Sequence, residues 1–81
     1  MTVRAIWTRT PHDGDAQTVP ALVLWRTSNQ TRIRVLRQSL EIEERSVPPE
    51  QVRLASLNCL RQNSRLFAVL EHFAEDAVYG N

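Results

Sequence analysis

Two periodicities divide this chain: apolar positions recur at every second residue up to about residue 47, and at every third or fourth from residue 49 onward. Residues 2–9 (TVRAIWTR) put Val3, Ala5 and Trp7 on one face and Arg4, Ile6 and Thr8 on the other, the alternation of a strand. Residues 11–20 (PHDGDAQTVP) concentrate Pro, Asp and Gly and predict a long loop. Strands are predicted next over 21–27 (ALVLWRT) and 31–37 (TRIRVLR). The loop Ser28-Asn29-Gln30 joins them, with Asn29 tolerant of a left-handed backbone. Pairing Thr27 with Thr31 places Trp25 across from Ile33 and Val23 across from Val35. In that register both tryptophans belong to an apolar face buried under helices. Residues 40–47 (LEIEERSV) alternate again and predict a fourth strand, with Glu43 beside Arg34 and Ile42 beside Val35.

The pattern then changes period. Pro48-Pro49-Glu50 opens a predicted helix over about 49–62, since proline is tolerated in a first helical turn. Its apolar residues Val52, Leu54, Ala55, Leu57, Cys59 and Leu60 spread around most of the cylinder. Asn63-Ser64 interrupts it, and Ser64 caps a second helix running from Arg65 to about Val78. There Leu66, Phe67, Val69, Leu70, Phe73, Ala74 and Ala77 share one half-cylinder. A single helix kinked near Asn63 is the rival reading. The expected fold class is α+β: a small antiparallel sheet of three to four strands, formed by the N-terminal half, packed on two C-terminal helices. At 81 residues this is one domain, 1–81, because two would each be too small to bury a core.

Composition narrows the function classes. No uninterrupted apolar run is longer than Ala21–Trp25, five residues, far short of the roughly 20 of a membrane span. Arginines interrupt the N-terminal apolar positions, so no signal peptide is visible. A single cysteine, Cys59, forms no internal disulfide, and no Cys/His spacing suits zinc. A cytoplasmic protein without membrane contact, metal or cofactor is expected. His72, Glu75 and Asp76 share a helix face, but nothing nominates a further ligand. Cys59 lies in an apolar stretch rather than the electropositive setting of a nucleophile. His12-Asp13-Gly14-Asp15 lacks the distal glutamate of a calcium loop. With only Gly14 and Gly80, a glycine-rich phosphate loop is excluded, and neither G-x-S-x-G nor H-E-x-x-H occurs. No constellation points to an enzyme.

Charge adds a direction. All ten basic residues are arginine, and they are unevenly placed: residues 1–40 carry six Arg against two Asp, while residues 41–81 carry four Arg against seven acids. In the predicted register Arg26, Arg32 and Arg34 project from one sheet face, with Arg37 at its end, as candidates for contacting protein or nucleic acid. RNA-binding sheets add exposed aromatics for stacking, and here both tryptophans are assigned to the other face, so an acidic protein partner is favoured. The excess apolar surface of the first helix predicts a homodimer burying Leu54 and Leu57. The functional expectation is a small non-enzymatic, protein-binding regulator or inhibitor, of the accessory type carried by phages and mobile elements. The alternative is a nucleic-acid-binding regulator using the arginine face.

Overall fold

The computed structural model describes residues 2–10, 14–37 and 39–79, with side chains described through His72. Four strands, β1 (Val3–Arg9), β2 (Gln17–Arg26), β3 (Thr31–Leu36) and β4 (Ile42–Val47), form an antiparallel meander. A 3-10 turn over Pro49–Gln51 leads to a short fifth strand, β5 (Val52–Leu54), which pairs antiparallel with β1, giving the order β4-β3-β2-β1-β5. Two helices, α1 (Leu57–Gln62) and α2 (Ser64–Tyr79), complete the α+β chain. The sheet therefore has five strands where three to four were expected.

The fifth strand comes out of the segment expected to be the first helix. Pro48 and Pro49 do open a helical turn, but it stops after three residues. The edge of β1 beyond Ala5–Trp7 would otherwise present unpaired backbone groups, and Val52-Arg53-Leu54 satisfies them. Ala55 extends the ladder by donating its N–H to the Arg4 carbonyl at 3.2 Å. Only then does Ser56 cap α1, its Oγ accepting from the Cys59 N–H at 3.2 Å. The chain re-enters a helix at Ser64, as its pattern predicts, after a break at Asn63.

The sheet is curled. Four residues, 48–51, carry the chain from one edge strand to the other. A flat five-stranded sheet is about 19 Å across, more than a link containing a 3-10 turn at about 2 Å per residue can span. Accordingly Val47 of β4 and Val52 of β5, from opposite edges, pack into one cluster with Trp7, Ala21, Ile33 and Val35. The directly paired Ala5 and Ala21 keep the middle of this concave face shallow, which leaves room for the indole.

The helices cover the other face, where Phe67 and Leu70 of α2 bury Leu22, with Leu24, Leu36, Ile42, Ala55, Cys59, Leu60 and Leu66 around them. Trp7 is thus buried, at 5% exposure, but on the face away from the helices, and Trp25 is exposed, at 49%. For Trp25 the cause is register. Val23 pairs with Ile33, and an irregularity at Leu24 brings Trp25 opposite Arg32 and Arg26 opposite Thr31. This bulge ends the alternation that would have kept Trp25 beside Val23, and turns it to the helix-bearing face. The β3–β4 ladder is also shifted by one from the expected pairing: Glu44, not Glu43, lies across from Arg34, and Glu43 across from Val35.

Candidate functional site

Register settles where each predicted arginine lies, and the four do not share one surface. Arg34, 3% exposed, lies beneath α2: its Nη2 donates to Glu44 Oε2 at 2.5 Å and its Nη1 reaches the Leu70 carbonyl at 3.4 Å. Arg32 is partly exposed, donating to Ser46 Oγ at 3.3 Å, with Glu44 at 3.9 Å. Arg26 is exposed at the hairpin end, in register with Thr31 and so on the concave side. Arg37 is exposed where β3 leaves the sheet, 4.0 Å from Glu41. Arg4, on the helix-bearing face of β1, pairs with Glu71 of α2 at 2.5 Å and lies over the Phe67 ring. That hydrogen bond, opposed in part by desolvation and aided by the charge of Glu71, holds its pKa above the ordinary arginine value.

The constellation that does assemble is at the open end of the concave face. Trp7 projects there from β1, and its Nε1 donates to Gln51 Oε1 at 3.0 Å across the curl. Two guanidiniums converge on its ring: Arg9 Cζ lies 5.8 Å from the indole centroid and Arg45 Cζ 5.1 Å. Arg9 is there because it follows Trp7 by two in one strand, while Arg45 comes from the far edge, brought over by the curl. Among the described residues neither has a carboxylate within ion-pair distance.

These three residues separate two open clefts. The larger, about 850 Å³, has a floor of Trp7, Val19 and Val35 and polar walls of Arg9, Gln17, Arg37, Ser39, Glu43 and Arg45. The smaller, about 300 Å³, adds Thr10, Ser46 and Gln51 on the other side of Trp7. The turn supplying Ser39 also holds Leu40 at φ 67°, 78% exposed, a left-handed backbone that costs a leucine about 1–2 kcal/mol. Strain of this kind collects at binding loops. Chemically, the mouth offers planar, bidentate cations above an apolar floor, the complement of a carboxylate or phosphoryl group attached to something apolar.

Arg9, Arg45 and Trp7 escaped sequence reasoning as a site. The i, i+2 spacing of Trp7 and Arg9 was a usable signal, but Arg45 joins them only through the curl. Leu54 and Leu57, expected on one helix, instead lie on β5 and at the start of α1, exposed by 72% and 76%. Cys59 is half-buried in the cluster under the helices and accepts a contact from Asn63 Nδ2 at 3.6 Å. Among the described residues no three His, Cys, Asp or Glu side chains are grouped to hold a metal, and no helix is long and apolar enough to cross a membrane. The side chains of Glu75 and Asp76, and His12 and Asp13 entirely, lie outside the described residues. Compared with known proteins, the chain matches no family model, no curated protein and no solved structure.

Proposed function

We propose that this protein is a non-enzymatic binding module, a small regulator or inhibitor, that docks a protein partner in the mouth of its curled sheet. The observation that carries this reading is the convergence of Arg9 and Arg45 on Trp7 at the rim of an 850 Å³ cleft, with no described carboxylate within ion-pair distance of either. Trp7 is too buried to offer a face for base stacking, and Glu43 in the wall works against a polyanion. A protein surface of mixed charge suits that combination. Self-association through the exposed Leu54 and Leu57 belongs to the same proposal. A photo-crosslinking residue at Gln17, in the cleft wall, should capture a partner protein in cells, and one at the exposed Arg61 of α1 should capture at most a second copy of this chain. Capture should disappear in Arg9→Gln and Arg45→Gln. Crosslinking to a different protein from Arg61 alone, or to nucleic acid from Gln17, refutes the reading.

One observation favours the nucleic-acid alternative. The exposed indole of Trp25, cross-strand neighbour of Arg32 and next in sequence to Arg26, supplies the aromatic that the predicted register lacked. If single strands bind there, affinity falls with salt at a log–log slope of about −0.7 per phosphate contacted. It is then lost in Trp25→Ala and reduced in Arg32→Gln. A binding isotherm indifferent to both substitutions removes this alternative.

A further inference from the structure

Two guanidiniums aimed at one ring repel each other, and the indole face offsets only part of that cost. Arg9 and Arg45 nonetheless converge on Trp7 and line both clefts, with Arg37 added around the larger one. Glu43 in the wall and Glu41 beside Arg37 limit the positive charge of this lip. A singly charged oxyanion suits that balance better than a phosphate dianion or a nucleic-acid strand. The floor of Trp7, Val19 and Val35 lies directly below and is apolar.

From this geometry we infer that the mouth recognises a carboxylate side chain of an extended peptide, clamped between Arg9 and Arg45, with an aliphatic residue two positions away seated on Val19 and Val35. In an extended chain residues i and i+2 face the same way, about 7 Å apart, so one peptide face carries both groups. The clamp makes charge-assisted hydrogen bonds to the two carboxylate oxygens, and Gln17 and Ser39 line the same cleft as polar groups. The inference rests on the mouth being the docking face and adds the chemistry that it reads.

The test uses the full chain carrying Trp25→Phe, so that Trp7 alone reports. The probe is the capped pentapeptide Ser-Glu-Ser-Leu-Ser, titrated beside its Glu-to-Gln analogue, inorganic pyrophosphate and a short oligothymidylate. The peptide should change Trp7 emission with a Kd of about 1 mM or tighter. The Gln analogue should bind at least about tenfold more weakly, and Arg9→Gln and Arg45→Gln should each weaken the peptide roughly ten- to hundredfold. Unchanged melting of these two exposed-rim variants shows that the loss is not unfolding. Equal affinity for the Gln analogue, with the arginine effects retained, overturns the carboxylate clamp but leaves the mouth as docking face. Peptide binding indifferent to both arginines overturns both readings. Tighter binding of pyrophosphate than of the peptide, or no response to the peptide, also overturns the inference.

Discussion

Arg34 and Glu44 allow a quantitative test of how α2 is held on the sheet. Arg34 is 3% exposed, yet it has one short ionic contact, to Glu44 Oε2 at 2.5 Å, one long bond to the Leu70 carbonyl at 3.4 Å, and a buried Nε with no partner among the described residues. Deleting the carboxylate in Glu44→Ala leaves a buried cation without its counter-charge, a loss of about 3–5 kcal/mol in a sealed site. Glu44 is itself 37% exposed, so water reaches the vacated position and the expected loss falls to about 2–3 kcal/mol. Removing the cation is a different experiment. Arg34→Met removes the unpartnered Nε along with the charge and packs a flexible apolar chain near Leu22 and Leu70, so stability should change by less than about 1 kcal/mol. In the double variant Glu44→Ala should then cost little, which gives a coupling energy of about 2–3 kcal/mol. Urea unfolding followed by circular dichroism measures all four corners of the cycle. If Glu44→Ala is neutral, or Arg34→Met costs more than about 3 kcal/mol, Glu44 is not the counter-charge that holds a buried Arg34.

Trp25→Ala should cost about 1–2 kcal/mol rather than the roughly 3–5 of a core aromatic, and Trp25→Phe should leave a blue-shifted emission from Trp7; a red-shifted residual spectrum contradicts the burial of Trp7. Leu40→Gly should stabilise by about 0.5–1 kcal/mol, because glycine adopts the left-handed backbone without the leucine penalty but loses more chain entropy. A lower denaturation midpoint for that variant counts against strain at the turn. Ser56→Ala should cost about 1 kcal/mol through the lost cap of α1, read by the same urea titration; no change means that the cap carries nothing. Light scattering should show concentration-dependent association that Leu54→Asp with Leu57→Asp abolishes, and a monomer at high micromolar concentration rejects the dimer.

Local pattern determined much of the fold. Alternation of apolar and polar residues specified β1, β3 and β4, because side chains on a pleated strand must point to opposite faces whatever the strand pairs with, and the apolar run Ala21–Trp25 marked most of β2. The 3.6-residue period of 65–78 specified α2, and Asn63-Ser64 marked its start, since those signals are also carried by neighbours in sequence. What tertiary structure decided was everything that depends on a distant partner. Residues 52–54 became a strand because the edge of β1 needed one, which outweighed the helical spacing around them. A single irregular residue, Leu24, moved Trp25 to the opposite face, a one-residue shift gave Arg34 to Glu44, and the packing of α2 on the Leu22 face buried Arg34 beneath it. Since strand side chains repeat every two residues, an error of one in register exchanges the faces, and no local preference opposes it. The mouth was illegible for the same reason. Arg9 follows Trp7 in plain sight, but Arg45 reaches that indole only because a four-residue link between opposite edges forces the sheet to curl.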